Sequence, residues 1–386
     1  MPLPTALIAL HARLTARLSA ELPDTRWFRI AVGTACLLLA ICGLTVYVTD
    51  PYCRYHKTPA LAPIYRDEYR MIPHMLNTWD YDSLVAGTSM CLNFSLADVR
   101  RLLHYNKPIK ITAKGCRPAT HHLFCDMAFK KREIHNILTT IDIPILAKEP
   151  GSHFIPLEPF LYSKSLLHEC AYLFNADIVF AANIDTIKAH MKGSGLLNPD
   201  LMFASDDGRG EVHYGKERAL RAMRNIRGGE LQWVSDLKRQ DPEALTRRMM
   251  RAFEECYLSD IQAHPETQFT VFYAPYSYLC WICLLQEDML DYLLGIKARV
   301  TEMLLAQPNV IVFDFQAEVG IATNLNYYKD TSHFSPEINL LILERIAAGQ
   351  NRCGPGTMAA NAETIRAMAR QGASEINIKT GSSKAR

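Results

Sequence analysis

Nineteen consecutive residues without a charge, Ile30 to Val48 (IAVGTACLLLAICGLTVYV), set the first limit on how this chain can fold. At 1.5 Å rise per residue a helix of that length is roughly 28 Å long, enough to cross the hydrocarbon core of a bilayer. A buried core helix and a cleaved signal peptide are the alternatives. A core helix of this length would show a polar stripe, and there is none. A signal peptide would be shorter and would want a small-x-small cleavage site, which Tyr47-Val48-Thr49-Asp50 does not supply. The reading is a single membrane span. Arg13, Arg17, Arg26 and Arg29 precede it, whereas Asp50 and Pro51 follow it directly, with Arg54 and Lys57 further on. That asymmetry puts the N-terminal segment, residues 1–29, in the cytoplasm and everything after Asp50 outside it, at the periplasmic or outer face. Leu10, Leu14 and Leu18 recur at helical spacing beside Arg13 and Arg17, the pattern of a short amphipathic helix on the inner membrane face.

Beyond the span the chain reads as one soluble domain of about 300 residues, 50–350, with the ordinary apolar content of a folded protein. A formal net charge of +2 gives no argument for nucleic acid as a partner. Of eleven cysteines, two lie in the span and nine beyond it. Outside the cytoplasm disulfides are permitted, and Cys116 with Cys125 would close a short loop. Cys280 and Cys283 have CxxC spacing but no second pair and no histidine cluster, so buried thiols are expected there rather than zinc ligands. No metal and no cofactor is called for.

The order of elements argues for an α/β fold with a central parallel sheet. Asp82 to Ala86 is a short apolar run ending in glycine, and Ser95 can cap a helix after it. Ile109 to Thr112 reads as a second strand closed by Gly115, Lys130 to Leu138 as a helix, and Ile141 to Leu146 as a third strand. The pattern lapses over about 151–240, an excursion with a helix at Asp177 to Met191. It resumes with a helix from about Asp241 to His264, the strand Phe269 to Tyr273, a helix from Gln286 to Leu305 and the strand Val310 to Phe313. Ser335-Pro336-Glu337 opens the last firm helix, with proline in its first turn. Past Cys353, over 354–386, the Gly-, Ala- and Ser-rich composition reads as a flexible tail.

Two motifs bring chemistry. Gly87-Thr88-Ser89 follows the first strand, where parallel sheets place their ligands, and Gly87 lets the backbone turn sharply. Asp330-Thr331-Ser332-His333 precedes the last helix, in a segment that Pro336 keeps out of that helix. A carboxylate three residues before a histidine in a loop can bend back to its Nδ1, leaving Nε2 free to take a serine proton. Serine, histidine and aspartate are together the parts of a hydroxyl nucleophile. Three other groups are weaker. His121-His122 could line the site but read more simply as exposed loop residues. Five basic residues between Lys216 and Arg227 could touch an anionic polymer or lipid headgroups, or be a solvated helix face. Tyr276, Tyr278 and Trp281 could stack on sugar rings, or pack in the core.

A Gly-x-Ser block after the first strand with Asp-x-x-His before the last helix resembles the SGNH (GDSL-type) hydrolase superfamily. Its membrane-anchored branch, which holds the DltD-like proteins of teichoic-acid D-alanylation and the alginate O-acetylation proteins, is the more similar part. The segments that carry the likeness are Tyr81 to Met90, Tyr273 to Ser277 and Tyr327 to Ser335. The resemblance implies a three-layer sandwich with Ser89 as nucleophile, His333 as base and Asp330 as its orienting partner. It also implies an oxyanion glycine after the second strand, for which Gly115 is the candidate, and an asparagine after the third. No such asparagine is present; Asp142 occupies the nearest place and Asn183 is a remote alternative. The implied activity is transfer of an acyl group, such as acetyl or D-alanyl, to a cell-envelope or exported polysaccharide. A membrane-bound O-acyltransferase would be the donor partner, with membrane lipid around the span. An esterase using the same triad, and a silent scaffold or glycan-binding protein, are the rivals; a fluorophosphonate probe at Ser89 separates the last from the others.

Overall fold

The computed structural model describes residues 24–56, 67–149, 151–153, 158–163, 165–192, 214–225, 234, 237–354 and 356–376. The amphipathic pattern at Leu10, Leu14 and Leu18, the glycine loops near 194, 207 and 228, and the last ten residues lie outside them. The first helix, α1 (Asp24–Thr49), contains the uncharged run and is longer than it at both ends. It is the one described helix long and apolar enough to cross a membrane. Most of its large side chains, Leu37, Leu38, Leu39 and Leu44 among them, are more than half exposed, so it is not a core helix.

The remainder is an α/β fold. After α2 (Glu68–Thr78) come β1 (Ser83–Gly87), α3 (Leu96–Leu103), β2 (Pro108–Thr112), α4 (Pro118–Phe129) and β3 (Asn136–Thr140). The excursion follows, with α5 (Leu166–Leu173), a π-helical turn at Asp177–Ala182 running into α6 (Asn183–Met191), and α7 (Lys216–Asn225). Order returns with α8 (Pro242–Phe253), which continues irregularly to Ala263, then β4 (Gln268–Tyr273), α9 (Tyr278–Gln286), α10 (Leu290–Leu305), β5 (Val310–Asp314), α11 (Pro336–Ala347) and α12 (Thr357–Glu375).

The five strands form one sheet in the order β2-β1-β3-β4-β5. Every neighbouring pair is parallel, with Ala86 beside Ile111, Val85 beside Leu138, Thr139 beside Val271 and Phe272 beside Phe313. Nearly every strand residue is buried, so both faces of the sheet are covered by helices, as a parallel sheet requires. The chain leaves β1 for β2 on one side and returns to β3 on the other. A crevice therefore opens at the carboxyl ends of β1 and β3, the usual place for a ligand in such a sheet.

Several expectations are corrected. The third strand is Asn136–Thr140, not Ile141–Leu146, and its preceding helix ends at Phe129. Pro144 has no N–H for a central strand, so Ile143–Ala147 forms a 3₁₀ turn, while Ile137, Thr139 and Thr140 supply the β-branched residues. The helix expected from Gln286 to Leu305 begins only at Leu290; Gln286 ends a separate helix, α9, and Asp288 between them takes φ 55°. The supposed tail is ordered over α12, whose Ile365, Met368, Ala369, Gly372 and Ala373 are buried at helical spacing. Gly372 lets it lie directly on the Tyr278 ring of α9, where a Cβ would also meet Ile282 Cδ1 at 2.8 Å. The cysteines form no disulfide; Cys116 and Cys125 are separate buried thiols, as are Cys280 and Cys283.

Candidate active site

Ser89 starts a 3₁₀ turn (Ser89–Cys91) that leaves the carboxyl end of β1. The chain can turn there because Gly87 has φ 128°, and a Cβ at that position would meet Thr140 Cγ2 at 3.0 Å and Cys91 Sγ at 3.1 Å. The turn is held from the other end of the sequence: Asn339, one turn into α11, donates Nδ2–H to the Met90 carbonyl at 3.0 Å.

The segment carrying Asp330 and His333 is a tight loop, not a free linker. Lys329 N–H donates to the His333 carbonyl at 3.1 Å and Ser335 N–H to the Tyr327 carbonyl at 2.8 Å, closing the loop on itself. Tyr328, fully buried, donates its hydroxyl to the Pro275 carbonyl at 2.8 Å, and Ser277 bonds the Thr331 carbonyl through both N–H (3.1 Å) and Oγ (2.7 Å). The loop is thereby fastened to the carboxyl end of β4.

These two anchored turns bring the distant motifs together. Ser89 Oγ lies 2.8 Å from His333 Nε2, and His333 Nδ1 lies 2.8 Å from Asp330 Oδ2. Asp330 Oδ1 accepts the backbone N–H groups of His333 at 2.7 Å and Ser332 at 2.9 Å. Burial alone would raise the Asp330 pKa. The imidazole hydrogen bond, its charge and the two amides outweigh that and pull the value down to about 2. The carboxylate is therefore ionised at any ordinary pH and fixes Nδ1 as the protonated nitrogen, leaving the Nε2 lone pair facing Ser89. The His333 side chain is 31% exposed against 17% for Asp330, so the imidazole is more open to solvent than the carboxylate that holds it.

The two candidate oxyanion residues are placed differently. Gly115 sits in a left-handed turn (φ 62°) after β2, the strand beside β1. Asp142 follows β3 and its two carboxyl oxygens are occupied, one by the Thr88 hydroxyl and the other by the Tyr276 hydroxyl at 2.5 Å. As a carboxylate it has no hydrogen to offer, so the oxyanion assignment is corrected: Asp142 is a buried acceptor that fixes Thr88, the residue before Ser89. Burial raises its pKa against the opposing pull of those two hydroxyls and of His333 nearby. Asn183 is remote from the site and bonds Thr49 of α1.

Tyr276 and Trp281 are core residues, buried and 5.5 Å apart between ring centroids, and Tyr278 packs beneath α12. His121 and His122 lie in α4 rather than on an exposed loop. His121 is buried, 3.1 Å from Thr139 Oγ1, and desolvation lowers its pKa to about 3; His122 Nδ1 lies 2.8 Å from Asp260. Among the described residues, His121, Cys125 and Asp260 are buried with ligand atoms within 4.8 Å of one another and are the group with metal-ligand chemistry; Ser89 is not among them. Lys216, Arg218 and Arg221 of α7 line, with Lys329 and Asp330, an open cleft of about 820 Å³.

Sequence reasoning missed Thr88, Tyr276 and Asn339 as supports of this site. The only signal for Asn339 is a polar residue on the otherwise apolar inner face of α11.

No family model and no curated protein matches this chain. A solved structure from Streptococcus pneumonia, described as "a putative platelet activating factor", superposes with a TM-score of 0.31 at 10% sequence identity, over 73% of this chain and 88% of that one. An overlap that weak says nothing of this chain's fold or activity.

Proposed function

We propose that this protein is a membrane-tethered serine enzyme of the SGNH type that transfers an acyl group to a hydroxyl of a cell-envelope or exported glycan. One observation carries the reading: the Ser89–His333–Asp330 chain, with both links at 2.8 Å. In the first step Ser89 Oγ attacks the carbonyl of an acyl donor while Nε2 of His333 takes the serine proton. The donor's leaving group departs with that proton, and the acyl group stays on Ser89 as an ester. In the second step an acceptor hydroxyl gives its proton to Nε2 and attacks the ester, which returns Ser89 Oγ its hydrogen. Asp330 stays ionised throughout and balances the imidazolium.

The extracytoplasmic setting rests on the apolar helix α1 and the arginines before it. A membrane-bound O-acyltransferase would supply the acyl group, and the basic side of the cleft beside Asp330 supports an acceptor that carries anionic groups. With water as acceptor the same two steps make an esterase.

The full-length protein in detergent or nanodiscs, treated with a fluorophosphonate, is expected to be labelled at Ser89 and not in Ser89→Ala. Supplied with an aryl acetate and an oligosaccharide, it should give acetylated oligosaccharide in excess of free acetate. Free acetate alone would point to the esterase. No labelling at all would leave a scaffold and end the proposal.

A further inference from the structure

Over α5, the turn Asp177–Ala182 and α6 the excursion carries an exposed apolar face. The inward side of α5 mixes Leu173 with polar and aromatic groups: the half-buried Glu169 is paired with Arg54 at 2.8 Å and accepts the Tyr55 hydroxyl at 2.8 Å, and Tyr172 is fully buried beneath the Arg54 guanidinium. The outward face is apolar. Leu166 is 82% exposed, Leu167 76% and Phe174 43%, with Cys170 and Ala171 on the same side. The next two segments continue it with Phe180 at 66% and Ile184 at 40%. A protein surface bathed in water does not usually carry so continuous a row of exposed leucine and phenylalanine.

The position of this face says what covers it. α5, the π-helical turn and α6 pack along the outer end of α1, where Gly43, Val46 and Thr49 are buried although the helix below is bare. Asn183 bonds Thr49 at 2.5 Å, and the Phe174 ring lies where a Cβ on Gly43 would touch it at 3.4 Å. Arg29 and Thr49 are twenty residues apart, roughly 30 Å of helix and one hydrocarbon thickness, so Thr49 marks the outer boundary when Arg29 sits at the inner one. Gly43 and the Phe174 ring are then about 9 Å inside that boundary.

We propose that α5, the turn Asp177–Ala182 and α6 are a lipid-embedded foot: their apolar face lies in the outer leaflet, continuous with the lipid-facing side of α1. The polar groups at its edge fit this. Asp177 is ion-paired toward Arg70 at 3.6 Å, and Lys188 and Lys192 at the far end have the long stems that let a charge reach the headgroups. The foot would hold the domain at a fixed height and tilt, which one flexible tether cannot do. The inference rests on α1 crossing the bilayer but not on Ser89 being a nucleophile.

The test is site-specific photocrosslinking of the full chain in nanodiscs of phosphatidylcholine and phosphatidylglycerol. p-Benzoylphenylalanine replaces Leu167, Phe180, Leu38 of α1 or the exposed Glu133 in turn. These are exposed positions, so the substitution leaves the packing intact. Lipid adducts at 167 and 180 are expected to match those at 38 within about threefold and to exceed those at 133 by at least about tenfold. Adducts at 38 with only background at 167 and 180 would overturn the foot. So would crosslinks from 167 or 180 to a second copy of the chain instead of lipid. Background at 38 would remove the span on which the inference depends, whatever Ser89 does.

Discussion

Replacing Asp330 by asparagine changes one atom and tests the whole proton path. Asp330 Oδ1 holds two backbone N–H groups, at 2.7 and 2.9 Å, while Oδ2 holds His333 Nδ1. An asparagine can keep only one of these arrangements. If its NH₂ turned toward the backbone, two N–H donors would face a third donor, and each lost hydrogen bond would cost about 1–3 kcal/mol. If its carbonyl keeps the amides, its NH₂ faces Nδ1, and the imidazole has only to move its proton to Nε2. The second arrangement wins, and it points an N–H at Ser89 Oγ in place of a lone pair. A base that already holds its proton cannot take another. The acylation rate should fall by on the order of 10⁴, which is about 5.5 kcal/mol of barrier, with the fold intact. The assay is the second-order rate of fluorophosphonate labelling of the full-length protein, followed beside its thermal midpoint. Asp330→Ala, which leaves the imidazole either tautomer, should be no slower than Asp330→Asn despite being the larger change. An asparagine variant that labels within about tenfold of the parent would refute the argument that Asp330 sets the tautomer.

Other consequences can be measured on the same protein. The folded Asp330 pKa lies below its ordinary 3.8, at about 2, so its ionised form stabilises the fold above pH 4 and that contribution fades as pH falls toward 2. It is worth about 2 kcal/mol; urea titrations at pH 6 and pH 2.5 should lose less stability between them in Asp330→Asn than in the parent, and an equal loss would contradict the shift. Gly87→Ala puts a Cβ into the 3.0 Å contact with Thr140 at a φ of 128°, so a loss of about 1–3 kcal/mol by denaturant titration and slower Ser89 labelling are expected together. Asp142→Ala strands the buried hydroxyls of Thr88 and Tyr276 and should cost about 2–4 kcal/mol, whereas Asp142→Asn, able to bond both, should be nearly neutral; equal losses for the two would show that packing rather than hydrogen bonding is at stake. Gly372→Ala should destabilise the protein by about 1–3 kcal/mol by pushing α12 off the Tyr278 ring, read as a lower thermal midpoint with labelling at Ser89 unchanged.

What could be read from the sequence follows a physical line. β2, β4 and β5 are rich in β-branched and aromatic residues, and β1 is a short apolar run ending in glycine, so their local chemistry decides their conformation. The apolar helix is legible because no tertiary contact is needed to make nineteen uncharged residues helical in lipid. Errors arise where tertiary packing overrides composition. The segment after Cys353 looks pliant because it is rich in alanine and glycine, yet smallness is what lets α12 close on Tyr278. The isoleucines of Ile141–Leu146 imitate a strand, although Pro144 in that run denies it a ladder hydrogen bond and the third strand lies at Asn136–Thr140.

The site divides along the same line. Ser89 and the Asp330–His333 pair announce themselves because each is a short motif whose geometry is local: a sharp turn after a strand, and a three-residue reach from carboxylate to imidazole. Their meeting over 244 residues is a property of the sheet order, in which β3 alone separates β1 from β4, to whose carboxyl end the Asp330–His333 loop is fastened. Asp142 could not be assigned from sequence, because a carboxylate near a serine can be an acid, a base, a ligand or a brace. Its two hydroxyl partners come from residues 54 positions before it and 134 after it, and they alone identify it as a brace. A carboxylate held by two donors and buried away from solvent resists movement of Thr88. If Ser89 is the proposed nucleophile, the contribution of Asp142 is positional, and its loss should appear in the rate of acylation before it appears in the affinity for any acyl donor.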